Sequence, residues 1–311
     1  MRPSTKANLI LLLVAMIWGG GFVAGKMALT GTTAFAILGW RFSISAAVCG
    51  LLFRKRIRKT PRRVILSGIC IGCLHVLALG TQLIGLGYTT SAKQSFLCTA
   101  YVAMTPWLSW LIAGKKPSVN AVLGGVLALA GIGSIESLTI HFGDLLSLCF
   151  AVLFGIQVVL VGKFVSRDTD SYQLTFYQFL TAGLVSLLIC LLRGEPMAVS
   201  GAESLIGVAY LSVINTCLAF LLQNAAQRHT SDVMASLIIS LESVFGFLFS
   251  VLYYHEPLTW RLLLGGALCF AAILLNAAAP QEGSGFSPPL RKRPKRAPEF
   301  SRRNHEHRPL A

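Results

Sequence analysis

The sequence predicts an all-α polytopic membrane protein of ten transmembrane helices, built from two inverted five-helix repeats. Three observations predict this fold class: an apolar composition, ten apolar segments of helical length, and similarity between the two halves. Of the 311 residues, 54% are hydrophobic and only 13% are charged, whereas a soluble domain carries about 25% charged residues. Because this fraction of charged residues is too small to cover the surface of a soluble protein, we expect most of the chain to lie in lipid.

Ten segments are candidates for membrane spans, because a helix needs about 20 mostly apolar residues to cross a bilayer. They lie near residues 8–26, 34–53, 64–86, 92–113, 119–136, 143–162, 172–192, 203–226, 231–254 and 259–279. The fifth segment is the shortest. The first follows Arg2 and Lys6 as a signal peptide would, but its apolar run continues to about Ala24, longer than the usual apolar region of such a peptide. We therefore expect an uncleaved first helix.

The basic residues predict the orientation of these helices. With a cytoplasmic N-terminus, 22 of the 27 Lys and Arg residues fall on the cytoplasmic side and four on the other, and Arg41 lies within a span. This bias follows the positive-inside rule and places both termini in the cytoplasm. The net charge of +15 is therefore attributed to membrane orientation, and we expect no nucleic-acid partner.

The segment 280–311 differs abruptly from the rest of the chain, being rich in Pro, Arg and Lys. A segment with so few apolar residues does not bury enough surface to offset its ordering entropy. We expect it to be a disordered cytoplasmic tail whose basic residues contact anionic membrane lipid.

The cysteines and histidines do not suggest a metal site. All eight cysteines fall inside apolar segments, which argues against a disulfide framework. Cys70, Cys73 and His75 have CxxCxH spacing, but small polarizable cysteines on a helix in lipid usually serve packing. No phosphate-binding loop is evident, and the few acids and histidines are scattered. We expect no metal, no other cofactor and no enzymatic activity.

Internal similarity supports a duplicated fold. Residues 117–135 and 257–276 are versions of one segment, in which Pro117 corresponds to Pro257 and LGGVLALAGI corresponds to LGGALCFAAI. Because each half has an odd number of helices, the second half enters the membrane from the opposite side. The result is an inverted repeat, an architecture that many secondary carriers use for alternating access. The domains we expect are 1–137, 138–279 and the tail 280–311.

Several short motifs resemble those of a known family. In chain order they are WGGGFVAGK within residues 10–26, Trp40-Arg41-Phe42, SAKQSFLCTAYVAMTPWL from Ser91 to Leu108, Ser240-Leu241-Glu242-Ser243-Val244-Phe245, and His255-Glu256-Pro257-Leu258-Thr259. Over residues 8–279 their order and spacing resemble the drug/metabolite transporter superfamily and its EamA branch. The resemblance implies a ten-helix carrier of amino acids, metabolites or drugs in the cell membrane, here a bacterial inner membrane.

One residue departs from the family pattern. The family usually has proline after the glutamate of the ninth helix, and this sequence has Ser243 there. We therefore expect no proline-driven break in the ninth helix, whereas Pro106 provides for one in the fourth.

Two ionisable residues lie deep inside predicted spans, where charge is costly and often marks a solute or ion path. Glu242 is the only acid well inside a span. Because burial disfavours the charged form of a carboxyl group, Glu242 is a candidate for coupling proton movement to transport, or for receiving a cationic group of a solute. A structural hydrogen bond or an ion pair with Arg41 is the alternative, and Arg41 itself needs a partner or a water-filled cavity.

Polar and aromatic residues of the central helices are the remaining candidates. His75 and Gln82 are seven positions apart and share a helical face, and Asn215 and Gln223, eight apart, lie on roughly one side of the eighth helix. Interhelical hydrogen bonding and packing explain such residues equally well. The candidates for a substrate path or proton coupling are Glu242, Arg41, His75, Gln82, Tyr101, Gln157, Gln178, Asn215, Gln223 and Trp18.

These patterns favour a secondary transporter that exports small metabolites such as amino acids by alternating access between two inverted repeats. Its expected partners are a small-molecule substrate, membrane lipid and, as a candidate coupling ion, protons. The alternative is a polytopic membrane enzyme or flippase that acts on lipid-linked substrates. That function needs acids, histidines or metal ligands clustered at one membrane face, and the sequence lacks such a cluster. A sensor whose basic tail engages a cytoplasmic partner is a third hypothesis.

Overall fold

The fold is all-helical throughout the part of the chain that the computed structural model describes, namely residues 3–114, 116–135, 141–164, 169–255 and parts of 260–275. In chain order the helices are α1 (Pro3–Leu29), α2 (Ala34–Leu52), α3 (Arg54–Ile57), α4 (Arg62–Leu86), α5 (Ser91–Cys98), α6 (Tyr101–Ala113), α7 (Val119–Ile135), α8 (Phe142–Phe164), α9 (Ser171–Leu192), α10 (Ala202–Ala209), a π-helix (Tyr210–Leu218), α11 (Ala219–Ala226), α12 (Asp232–Ile239) and α13 (Glu242–Tyr254).

Eight helical segments among the described residues are long and apolar enough to cross a membrane, which makes this a multi-pass membrane protein. They are Ser4–Leu29, Ala34–Leu52, Arg62–Leu86, Ser91–Ala113, Phe142–Phe164, Ser171–Leu192, Ala202–Ala226 and Asp232–Tyr254. The predicted fifth span corresponds to α7, which has only 17 residues and is about 26 Å long. Most of the predicted tenth span and all of the tail 280–311 lie outside the described residues. The count of ten helices therefore stays a prediction.

Hydroxyl and carboxyl side chains begin several of these helices by capping their first N–H groups. Thr33 accepts from the N–H of Ala36 in α2, and Asp170 accepts from the N–H of Tyr172 in α9. Such a cap satisfies a backbone donor that has no partner within the helix. Capping therefore helps to set where these spans begin.

Two of the spans are broken in the same way. The span Ser91–Ala113 consists of α5 and α6, with 8 and 13 residues. The span Asp232–Tyr254 consists of α12 and α13, again with 8 and 13 residues. Each helix end in the span Asp232–Tyr254 lies the same number of residues after the corresponding helix end in the span Ser91–Ala113. The two broken spans are therefore structural counterparts, each the fourth helix of its half in the predicted order.

Neither break lies at a proline, and a hydroxyl side chain stands at each. At the first break the Thr99 hydroxyl donates to the Phe96 carbonyl at 2.7 Å, and at the second the Ser240 hydroxyl donates to the Leu237 carbonyl at 2.6 Å. The same kind of bond also occurs inside a continuous helix, from Thr81 to the Ala78 carbonyl in α4, so it accompanies the breaks but does not explain them. Pro106 lies inside the continuous helix α6, so the break that it made available is not at the proline, and the fourth helix breaks earlier, between Cys98 and Tyr101.

Counterpart helices of the two halves run in opposite directions. In the broken spans, the Ser95 hydroxyl contacts the Ser243 carbonyl at 3.3 Å, whereas Ser109, further along the chain, contacts the earlier residue Asp232 at 3.4 Å. The helices α2 and α9 show the same relation, since Gly39 packs against Leu187 and the later Gly50 packs against the earlier Phe176.

The first span and the span Ala202–Ala226 approach each other closely at Gly207. A Cβ atom at this position would lie 2.5 Å from the Ala24 carbonyl oxygen and 2.7 Å from the Ala28 nitrogen. The Ser204 hydroxyl, on the same helix α10, donates to the Ala28 carbonyl at 2.7 Å. Because the crowding atoms belong to the backbone of α1, they cannot turn aside as a flexible side chain would.

We predict that Gly207→Ala lowers the thermal unfolding midpoint of the detergent-solubilised protein by about 5 °C or more, because the added methyl group overpacks a helix contact. The matched control is Gly133→Ala in α7, where an added Cβ meets nothing within 4 Å. Thermal unfolding followed by size-exclusion chromatography measures both. Equal midpoints for the two variants would contradict the close approach of α1 and α10.

Candidate functional site

A cavity of about 30 Å³ lies among helices of both halves. It has room for about two water molecules. Its walls are mostly apolar and aromatic, with a small set of polar groups, which is the usual composition of a small-molecule site. The polar side chains that line it are Arg41, Gln82, Gln94, Asn215 and Glu242, and the aromatic ones are Trp18, Phe22, Phe150, Phe154 and Phe220.

Arg41 enters the cavity from α2 and is held by the π-helix. Its side chain is only 4% exposed. The Nη2 group donates to Asn215 Oδ1 at 2.6 Å, and Nε donates to the Thr216 hydroxyl. Both acceptors belong to the π-helix, and such segments are frequent at functional sites. The guanidinium group is thus tethered by neutral partners inside the bundle.

Asn215 also connects this arginine to α1. Its Nδ2 group donates to the Ile17 carbonyl at 3.1 Å, and its own carbonyl accepts the indole N–H of Trp18 at 2.9 Å. The Asn215 amide occupies the space that a side chain at Gly21 would need. One residue of the π-helix therefore fixes the positions of Arg41 and Trp18 together.

Glu242 reaches the cavity from the broken span Asp232–Tyr254. It is the first residue of α13, directly after the break, and it is 4% exposed. Within the described part of the chain, no hydrogen bond or ion pair to its carboxylate is found. The alternative of an ion pair with Arg41 is therefore not realised, although both side chains line the same cavity. The site presents a cation and an acid that are not paired with each other.

Two glutamines form the wall near the start of α5. The Gln94 Nε2 group donates to the Gln82 carbonyl at 2.7 Å and to the Ser147 hydroxyl at 3.2 Å. The Gln82 side chain lies 3.8 Å from the Cys98 sulfur. Neither Gln94 nor Thr216 was among the residues predicted from the sequence. A polar residue inside the fourth apolar segment was the available signal for Gln94.

An ion pair links the two halves beside this wall. Lys93 Nζ lies 2.6 Å from Asp144 Oδ2, joining α5 to α8, and Asp144 is 2% exposed. The same carboxylate oxygen accepts the backbone N–H of His141 at 2.7 Å. Lys26 lies nearby, and its ammonium group donates a hydrogen bond to the Thr89 carbonyl at 2.9 Å.

The structure divides the sequence-predicted residues into two groups. Five of them line the cavity, namely Trp18, Arg41, Gln82, Asn215 and Glu242. The other five are buried elsewhere in the bundle, namely His75, Tyr101, Gln157, Gln178 and Gln223. The Tyr101 ring lies 5.0 Å from that of Phe154, so it packs behind the cavity wall.

The CxxCxH residues do not converge on one point. Cys70 and Cys73 are exposed on the outside of α4, whereas His75 is fully buried. The His75 ring packs edge-on against Phe220, with 4.6 Å between ring centroids.

The comparison with known proteins decides the family. The model of the EamA-like transporter family matches the chain twice, at residues 5–136 and 141–278. The chain belongs to the EamA-like transporter family. The resemblance seen in the sequence motifs is thereby confirmed, as is the expectation of a transporter and not an enzyme.

Relatives of this EamA-like transporter cover nearly its whole length. An uncharacterized transporter of Archaeoglobus fulgidus is 29% identical over 270 residues, which covers 86% of this chain and 85% of the relative. The uncharacterized transporter YvbV of Bacillus subtilis is 27% identical over 285 residues, which covers 88% and 92% of the two chains. A protein of known crystal structure has a TM-score of 0.72 and 17% identity, covering 88% of this chain and 96% of that one, and it shares the fold.

We predict that Asn215→Ala destabilises this EamA-like transporter by about 2 kcal/mol, because it removes a buried hydrogen-bond partner of a charged group. The control is Val213→Ala on the same π-helix, where the valine is 45% exposed. The thermal unfolding midpoints of both variants in detergent provide the measurement. If the asparagine variant is as stable as the valine variant, Asn215 does not anchor Arg41.

Proposed function

We propose that this EamA-like transporter is a secondary carrier that exports small metabolites such as amino acids by alternating access between two inverted five-helix repeats. The observation that carries the proposal is one small cavity lined by both halves, with Arg41 and Glu242 on its walls and not paired with each other. The proposal also includes ten transmembrane helices, the domains 1–137 and 138–279, and a cytoplasmic location of both termini.

The opposite directions of counterpart helices support the inverted repeat. The broken spans Ser91–Ala113 and Asp232–Tyr254 have matching halves and lie antiparallel, as shown by the contacts Ser95–Ser243 and Ser109–Asp232. Two halves related in this way exchange roles when the bundle rearranges, so a site between them is exposed to either side in turn.

The size of the cavity supports a closed conformation. A volume of about 30 Å³ is far below the roughly 300–1,000 Å³ of small-molecule pockets. A metabolite therefore enters only after helices of the two halves separate. Alternating access supplies that separation at one end of the bundle while the other end stays closed.

The two charges on the cavity walls favour a solute that carries both signs. Two N–H groups of Arg41 are bonded to Asn215 and Thr216, and a guanidinium has five, so N–H groups remain for a solute carboxylate. The Glu242 carboxylate is available for an ammonium group or for a proton. Because one acid receives either a proton or the solute cation, the two bind in competition, and a proton gradient drives export.

We predict that Glu242→Gln abolishes proton-driven uptake into proteoliposomes, because the amide binds no proton, while solute exchange persists with a higher KM, because the amide oxygen still accepts a hydrogen bond from an ammonium group. A panel of radiolabelled amino acids and other metabolites, with and without a pH gradient, identifies the transported solute. In the variant, the gradient-dependent rate should fall about tenfold or more, and counterflow should persist. The control is Glu203→Gln at the exposed start of α10.

Two outcomes of this experiment contradict the proposal. Absence of flux for every solute in the panel, in protein that is folded and reconstituted, removes the carrier function. A gradient dependence that is unchanged in Glu242→Gln removes Glu242 as the coupling residue.

A further inference from the structure

Among the buried amide side chains that have unbonded hydrogen-bonding atoms, four lie on α8, α9 and α11. Gln157 and Gln223 use neither side-chain oxygen nor nitrogen, Gln178 leaves Nε2 unbonded, and Asn224 leaves Oδ1 unbonded. All four are 0% exposed, and we call them the amide layer. Burial of a polar atom without a partner costs free energy. These side chains would therefore gain hydrogen bonds in a more open arrangement of the helices.

The amide layer lies beyond the charged cavity, further along the same helices. Gln157 follows Phe154 by about one turn in α8, and Gln223 follows Phe220 by about one turn. Both phenylalanines line the cavity. Asn224 donates to Gln178 Oε1 at 3.1 Å, which joins α11 to α9. The layer is thus built between the helices that lead away from the cavity.

The position of α11 shows which end of the bundle the amide layer faces. Just after α11, the Thr230 hydroxyl lies 3.2 Å from Asn8 Oδ1 near the beginning of α1. The layer therefore faces the end of the bundle where α1 starts. The charge bias assigns that end to the cytoplasm.

Three aromatic rings separate the cavity from the amide layer. The Trp18 ring lies 5.4 Å from the Phe154 ring and 4.9 Å from the Phe220 ring. The exposed fractions of these three side chains are 6%, 2% and 1%. We call them the aromatic layer. A polar solute in the cavity does not reach the amides unless these rings move.

We infer that the amide layer is a second, uncharged solute site on the path, closed from the charged cavity by the aromatic layer in this conformation. The inference rests on the proposed function. When the bundle opens at the α1 end, the unused amide atoms bind water and the uncharged hydrogen-bonding groups of the solute, such as hydroxyl and amide groups. An exported solute meets the neutral amides first and the two charges second.

The neutrality of the amide layer suits a site that must release its solute. A path conducts when each site binds strongly enough to admit the solute and weakly enough to let it leave. Amides exchange hydrogen bonds with water at little net cost, whereas a buried charge would hold an oppositely charged solute. Interhelical bonding accounts for two contacts of Asn224, with Thr175 and with Gln178, and leaves both side-chain atoms of Gln157 and Gln223 without a role.

The test measures whether water reaches the amide layer. The full chain carrying Gln223→Cys is reconstituted into liposomes and treated with N-ethylmaleimide, and labelled peptides are quantified by mass spectrometry. Because maleimide reacts with the hydrated thiolate, the introduced thiol should be labelled about tenfold faster than Cys190. That native cysteine is also 0% exposed and serves as the internal control in the same molecule. Labelling of the two thiols at equal rates overturns the inference.

A second variant pair keeps the test decisive if Gln223→Cys does not fold. Gln223→Leu should raise the thermal midpoint by about 2–4 °C, because it removes an unpartnered amide from the closed conformation. The control is Gln173→Leu, whose amide is 8% exposed and donates to the Arg56 carbonyl at 2.7 Å, so its midpoint should fall. A fall of the same size in both variants overturns the inference.

The outcomes separate this inference from the proposed function. Fast labelling at position 223 without flux of any tested metabolite leaves a hydrated amide layer in a protein that is not the proposed carrier. Flux that depends on Glu242, together with labelling no faster than that of Cys190, leaves the carrier and removes the second site.

Discussion

The antiparallel crossing of two broken helices is the constraint on which the rest of the structure depends. In lipid, every backbone N–H and C=O group must be satisfied within the protein, so a span breaks only where other groups replace the lost bonds. At the first break, backbone bonds of the tighter three-residue kind replace them, from the N–H groups of Thr99 and Val102 to the carbonyls of Phe96 and Thr99. The hydroxyls of Thr99 and Ser240 add bonds to the carbonyls of Phe96 and Leu237. Because the second break immediately precedes Glu242, the acid stands at the point where the two spans cross and not on a lipid-facing surface.

The π-helix Tyr210–Leu218 is the complementary device for the cation. It turns Asn215 and Thr216 towards Arg41, so a buried guanidinium group is held by neutral acceptors and needs no carboxylate. Breaking a buried ion pair leaves an uncompensated charge and costs several kcal/mol, and a carrier whose two charges were paired would face that cost in each cycle. In the carrier that we propose, this separate anchoring of Arg41 leaves both residues available to a solute.

The sequence predicted the features that depend on residue type and composition. Charge inside a span is rare, so Arg41 and Glu242 stand out among the apolar segments, and both line the cavity. The family motifs and the multi-pass helical fold were likewise readable from the chain. The sequence left open whether Arg41 and Glu242 form an ion pair, because composition does not show which acceptors reach a guanidinium group.

Features that depend on helix geometry were not predictable. Asn215 and Gln223 were expected on roughly one side of the eighth helix, but Gln223 lies about 12 Å further along the helix axis, and only Asn215 lines the cavity. Gln94 and Thr216 were missed because the hydrophobic pattern of a span does not distinguish a cavity wall from a helix contact. Pro106 did not mark the position of the break, which lies earlier in the fourth span, between Cys98 and Tyr101.

Disulfide cross-linking of the broken spans tests the central claim most directly. In the full chain, Ser109→Cys paired with Asp232→Cys joins two positions whose native side chains lie 3.4 Å apart. Ser95→Cys paired with Asp232→Cys joins positions about 16 Å apart along the helix axis. If the spans lie antiparallel, mild oxidation followed by peptide mapping finds a disulfide in the first pair and none in the second. A disulfide in the second pair without one in the first would contradict the antiparallel crossing and the shared cavity that depends on it.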